Sequence, residues 1–153
     1  MNRYDSRMMD DPTEATILAW ARLVKAQRVV LGAVEDDLKA KGFPPLGWYD
    51  VALELRRAEQ PLRPVEIEAR LLMAQSNLSR LLDRMVAAGY LTKAACVGDK
   101  RGFEIALTGA GHGLLRAMWP VYRASIQRHV GVRLLPGEAE TFAEALGRLV
   151  ARG

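Results

Sequence analysis

The sequence predicts a mainly α-helical fold: a winged helix-turn-helix with a small β-hairpin wing, whose terminal helices form a dimerisation region. Three observations predict it. A short helix with one apolar stripe, around Leu78 to Met85, runs straight into two strand-like segments joined by a basic tip. Two short helical segments, separated by a connector between Pro61 and Pro64, precede that unit. Long amphipathic helices stand at both ends, with more apolar surface than a small DNA-binding core needs, and such faces are usually buried against a second copy.

The elements follow in order. Thr13 to Lys39 reads as a long helix, with Ile17, Trp20, Ala21, Val24, Leu31, Val34 and Leu38 as a wide apolar stripe, Asp11-Pro12 as start signal and Gly42-Phe43-Pro44-Pro45 as stop. Trp48 to Ala58 is a second helix on Trp48, Val51, Ala52 and Leu55. Val65 to Leu71 is a third, with Pro64 in its first turn, and Leu72-Met73-Ala74 turn into a fourth. In that fourth helix Leu78, Leu81, Leu82 and Met85 recur at i, i+3, i+4 and i+7 and so share a face, and Gly89 stands where a left-handed residue commonly ends a helix. Tyr90 to Val97 and Phe103 to Leu107 read as strands around a Gly98–Gly102 turn. Thr108 caps a long helix on Leu114, Leu115, Met118, Trp119, Tyr122, Ile126 and Val130. Pro120 is expected to kink that helix or shift its start, and its glycine-rich opening to fray. Pro136 opens a last helix with Phe142, Leu146 and Leu149 or Val150 facing inward. The chain therefore divides as one unit, 1–153, with dimerisation helices at 13–40 and 109–151 and a winged lobe at 46–108.

Composition bounds the function. With 153 residues, half of them hydrophobic, the chain has ample material for one core and a subunit interface. No apolar run approaches the about 18 residues of a membrane span, and Met1 to Asp11 lacks the apolar region of a signal peptide. A lone cysteine, Cys96, excludes an intramolecular disulfide and fits a reducing cytoplasm. The net charge is +4, and residues 63–101 carry seven basic against four acidic side chains, whereas residues 1–62 carry nine against ten. The positive excess thus sits on the helix-turn-helix, as neutralising phosphates requires. Ser76, Asn77, Ser79, Arg80 and Arg84 face away from the apolar stripe, offering short polar groups and guanidinium groups to base edges and phosphates. The same spacing also fits an ordinary amphipathic helix followed by a surface hairpin.

Residues 46–115 resemble the MarR (multiple antibiotic resistance regulator) family. IEARLLMAQSNLSRLLDRMVAAGYL is similar to its helix-turn-helix, and DKRGFEIALTGAG to its wing and exit. The resemblance implies a homodimer whose two winged lobes straddle double-stranded DNA, acting in the cytoplasm as a ligand-responsive repressor on a pseudo-palindromic operator. It places Gln75, Ser76, Asn77, Ser79 and Arg80 in the major groove, with Arg84 one turn further on. It makes Asp99 and Arg101 the wing pair for the minor groove, and Lys100 a phosphate contact. Leu72 stands where the family's turn usually has glycine, and Ala74 where Ser or Thr would cap the fourth helix. The resemblance also implies a small aromatic or phenolic effector between dimer helices and lobe. Trp20, Trp48, Tyr49, Asp50, Trp119 and Tyr122 are candidates to line its cleft, with Arg22 or Arg28 holding an anion, though aromatics at helical spacing are more often core.

Other chemistry is thin. His112 and His129 are the only histidines, there is no metal-ligand spacing, and no phosphate loop or nucleophile elbow occurs, so neither enzyme nor metal or other cofactor is expected. Glu35-Asp36-Asp37 reads as a solvated acidic face. Cys96 is either a small buried hydrophobe in the first strand or a redox-sensitive thiol near Lys93, Lys100 and Arg101. The reading that competes with a DNA-binding regulator is a winged-helix dimer acting as a protein-interaction or ligand-binding module.

Overall fold

The computed structural model describes residues 11–72, 76–99 and 102–151. Six α-helices and one hairpin follow in the order α1 (Glu14–Ala40), α2 (Leu46–Ala58), α3 (Pro64–Arg70), α4 (Leu78–Ala87), β1 (Leu91–Ala95), β2 (Phe103–Leu107), α5 (Gly109–His129) and α6 (Glu138–Val150), with a 3-10 turn at Gly131–Arg133 before α6. The strands are antiparallel, Leu91 opposite Leu107 and Ala95 opposite Phe103. Leu62 adds a bridge to Ile105, each amide donating to the other's carbonyl at 2.9 and 2.8 Å, so the connector before α3 lies against the hairpin.

Local chemistry explains the boundaries. The Thr13 hydroxyl accepts from the Thr16 amide at 3.1 Å and starts α1. Glu35 reaches across from α1, both carboxylate oxygens accepting from the Leu46 amide at 3.1 Å, and so anchors the first turn of α2. Glu66 accepts from the Arg63 amide at 2.7 Å at the start of α3. The end of α4 is as expected: Gly89 has φ +83°, and the Tyr90 amide donates to the Met85 carbonyl at 3.0 Å.

The core is one cluster. Val34 and Leu38 of α1, Val51, Ala52 and Leu55 of α2, Ile67 of α3, Leu78, Leu82 and Met85 of α4, Leu91 and Ile105 of the hairpin, and Leu114, Leu115 and Met118 of α5 are all buried in it. On α1 the buried members are Val34 and Leu38, with Val30 and Leu31 packed against the cluster. Ile17, Trp20 and Val24 are exposed, and no residue of α6 is buried.

Several expectations need correction. Helix α4 starts at Leu78, so Ser76 and Asn77 belong to the turn before it. Pro120 does not shift the start of α5, which runs from Gly109 through it to His129. The Thr108 hydroxyl does accept from the Gly111 amide at 3.1 Å, so the glycine-rich opening is a capped helical turn. Helix α6 begins at Glu138 after a left-handed Gly137, and Pro136 only precedes it. Phe142, Leu149 and Val150 are exposed rather than inward. Leu72 is not among the described residues of positive φ, where Glu59 is the sole non-glycine, so no glycine is needed there. The uncapped position Ala74 lies outside the described residues.

Of the acidic cluster, Asp36 is exposed but Glu35 and Asp37 are engaged. Besides the Glu35 anchor, Asp37 Oδ2 accepts from Ser125 Oγ at 2.6 Å, His129 Nε2 at 2.9 Å and Arg128 Nη1 at 3.0 Å. The Ser125 and His129 hydrogen bonds hold the Asp37 carboxyl below the usual carboxylate range. Its stabilising contribution is therefore complete above the unfolded-state value of about 3.9 and is lost as pH falls further, through the folded-state value. Chemical unfolding at pH 7 and pH 3 should show Asp37→Asn closer to wild type at the lower pH. Equal differences at both would remove this link.

Candidate nucleic-acid interface

Helix α4 divides as a reading helix must. Leu78, Leu82 and Met85 are buried against the lobe, while Ser79, Arg80, Asp83 and Arg84 are exposed on the other side. Its apolar face docks, so its polar face is fixed in orientation. Arg80 and Arg84, one turn apart, line an open cleft of about 330 Å³ with Ser76, Asn77, Leu81, Trp48 and Glu35. Trp48 is held there by an edge-on contact with Tyr90, ring centroids 5.9 Å apart. Among the described residues no ion pair engages Arg80 or Arg84.

The hairpin stands beside this helix. Lys93 on β1 sits 3.9 Å from the Phe103 ring centroid and 3.8 Å from Asp83 Oδ1, pinning the strand pair to α4. Asp99, in the turn after β1, lies 3.6 Å from Arg63 Nη1. Arg63 is a cation that the sequence reading passed over. Its signal was Arg-Pro at a helix start, and the Leu62–Ile105 bridge is what carries it to the hairpin. Gln75, Lys100 and Arg101, three of the expected contacts, lie outside the described residues. Cys96 falls just after β1 rather than in it, and is buried, with its amide donating to the Gly102 carbonyl at 3.0 Å.

The candidate effector residues do not gather in one place. Tyr49, Asp50, Trp119 and Tyr122 line a cavity of about 700 Å³ between α2, α5 and the end of α3. Trp48 belongs to the α4 cleft, and Trp20 and Arg22 to an apolar groove of about 540 Å³ between α1 and α6. Arg28 lines none of these three. The dispersal follows from adjacency on α2: Trp48 and Tyr49 are consecutive, so their side chains leave the helix on different faces. In the larger cavity Tyr49 lies nearly parallel to Trp119, centroids 6.4 Å apart, and edge-on to Tyr122 at 5.2 Å. Burial raises the phenol pKa of both tyrosines, so both are neutral hydrogen-bond donors at neutral pH. Asp50 is buried, and its Oδ2 accepts from the Leu72 amide at 2.8 Å, tying α2 to the exit from α3. Arg56, Arg57, Arg70 and Arg116 also line the cavity, and sequence spacing gave no hint that they converge. Arg57 is paired with Glu54 at 2.8 Å.

Among the described residues no cluster of histidine, cysteine and carboxylate groups could hold a metal, and no helix is long and apolar enough to cross a membrane.

A buried-stripe helix after a short connector, followed by a two-stranded wing, defines a winged helix-turn-helix protein. The model of the MarR family matches residues 41–102. Over 137 residues the chain is 25% identical to the HTH-type transcriptional regulator MhqR of Bacillus subtilis (strain 168), covering 90% of this chain and 92% of that one. Two further transcriptional regulators match over shorter stretches that span 58% and 42% of their lengths. Among solved structures it is similar to Sco3205, a MarR family transcriptional regulator from Streptomyces coelicolor in complex with DNA, with TM-score 0.76, 24% identity and 91% of each chain covered. It is also similar to BpsR of Bordetella bronchiseptica, whose DNA binding is regulated by 6-hydroxynicotinic acid, with TM-score 0.77, 17% identity, and 94% and 100% covered. These matches support a MarR family winged-helix transcriptional regulator, with the family likeness carried by residues 41–102.

Proposed function

We propose that this chain is a cytoplasmic, sequence-specific DNA-binding transcriptional regulator, a repressor that binds a pseudo-palindromic operator as a homodimer. The observation that carries the reading is α4: a helix docked through Leu78, Leu82 and Met85 that leaves Arg80 and Arg84 exposed beside the hairpin. Ser76, Asn77, Ser79 and Arg80, with Gln75, would read the major groove, and Arg84 would contact phosphate. Asp99, Lys100 and Arg101 would bring the wing to the neighbouring minor groove. The exposed apolar residues of α1 and α6 supply the surface for the second copy, which sets two α4 helices about one helical turn apart on the duplex. The relatives' description as transcriptional regulators supports the same reading.

Selection from random duplex DNA tests it directly. An inverted repeat should be enriched, and Arg80→Ala should cost about 1–3 kcal/mol on that site and relax preference at one base position. No enrichment, together with capture of a specific protein partner, would favour an interaction module instead.

The effector site of this regulator is the cavity of Tyr49, Trp119 and Tyr122. Two neutral phenols, an indole and nearby guanidinium groups suit a planar aromatic acid or phenol. The 6-hydroxynicotinic acid that regulates BpsR is of that class. Trp20, Arg22 and Trp48 lie outside this cavity and are not assigned to it.

A further inference from the structure

We propose that Asp37 is a positioning residue whose carboxylate clamps α1 to α5 and sets the angle at which the winged lobe meets DNA. The inference rests on the dimeric DNA-binding reading above. Around the clamp, Val34 and Leu38 of α1, which flank Asp37, join Leu114, Leu115 and Met118 of α5 in the lobe core. Toward the start of α1, Arg22, Val29 and Ala33 line an open groove with His129 and Arg133. Beyond that lie the exposed Ile17, Trp20 and Val24. Asp37 lies between the core residues Val34 and Leu38 of α1, while Ser125, Arg128 and His129 lie beyond Met118 on α5, so it ties the core stretch of α1 to the outer end of α5.

The chemistry suits a fixed joint. A single oxygen, Asp37 Oδ2, receives Ser125 Oγ, His129 Nε2 and Arg128 Nη1 within 3.0 Å. Facing an ionised carboxylate, Nε2 of His129 carries the hydrogen. Ser125 is only 1% exposed, so its hydroxyl has no water to replace Asp37. Three directional bonds on one atom define one rotation of α5 against α1, whereas apolar packing between helices tolerates sliding. A dimer that reads two half-sites at one separation needs such a joint in each subunit.

The test is a series of duplexes whose half-site centres are about 9 to 12 bp apart, with a single half-site as reference. Wild type, Asp37→Ala, Asp37→Asn and Ser125→Ala are compared by fluorescence anisotropy, each checked for folding by circular dichroism. Wild type should favour one spacing. Asp37→Ala should keep its single half-site affinity within about threefold while its preference among spacings falls about fivefold or more. Asp37→Asn, which retains an acceptor oxygen, should fall between. A folded Asp37→Ala that keeps the wild-type spacing ratio overturns the proposal, and if that variant does not fold, Ser125→Ala decides by the same criterion. Wild type that binds a half-site but is indifferent to spacing also overturns it, leaving DNA binding intact. Wild type that binds no duplex overturns the functional reading itself.

Discussion

Met85→Ala should lower the unfolding free energy by about 2–5 kcal/mol, the range for truncating a fully buried methionine. Met85 is 0% exposed and is the last residue of the stripe that seats α4 on the lobe. Its carbonyl also accepts the Tyr90 amide at the close of the helix, so a cavity here lies beneath the joint between α4 and the hairpin. Against a total stability of about 5–15 kcal/mol for a domain, the loss is large enough to read in a urea titration. DNA binding should weaken as well, because the polar face is oriented only by this docking. Ser79→Ala makes the opposite case. Ser79 is exposed on the other side of the same helix, so its stability should stay within about 0.5 kcal/mol of wild type while affinity for the selected operator falls. If Met85→Ala unfolded at the wild-type urea midpoint, the buried stripe would not be what holds α4.

The winged lobe was legible because its signals are local. Spacing alone placed Leu78, Leu82 and Met85 on one face, and both Gly89 and Thr108 do what their chemistry suggests at helix ends. Strand β2 matches Phe103–Leu107 residue for residue. The failures share a cause, since each needed knowledge of what packs opposite. Glu35 and Asp37 read as surface charge until α2 and α5 supplied the Leu46 amide and the Ser125 hydroxyl. The structural tie made by Asp50 was not legible because the Leu72 amide from which it accepts is 22 residues away. Trp20, Trp48 and Tyr49 seemed one aromatic set, yet helix geometry sends them to three separate surfaces. Pro120 removes one hydrogen bond from α5, and the packing of Leu114, Leu115 and Met118 on one side and Ser125 on the other keeps the helix whole.

The opening of α5 shows how a long-range constraint hides in a run that looks merely glycine-rich, and Gly111→Ala should expose it at a cost of about 1–3 kcal/mol. A Cβ at Gly111 would meet the Leu107 side chain and the Tyr90 carbonyl oxygen closer than side-chain carbons approach in proteins. Leu107 can rotate away, but the carbonyl cannot. It is backbone, it accepts the Thr108 amide at 3.1 Å, and the Thr108 hydroxyl donates to the adjacent Gly89 carbonyl at 2.7 Å. The first turn of α5 would have to lift from the α4–hairpin joint, costing the contacts that register the hairpin against α4. Gly113 is the control from the same run. A Cβ there meets only the Arg116 guanidinium at 3.8 Å, so Gly113→Ala should be neutral or gain about 0.5–1 kcal/mol from helix propensity. Thermal melts of the two variants should therefore move in opposite directions, by about 2–4 °C per kcal/mol for a chain of this size. Equal melting temperatures would mean that the close approach at Tyr90 relaxes without cost, and the wing would owe its placement to the Leu62–Ile105 bridge and the Lys93 contacts alone.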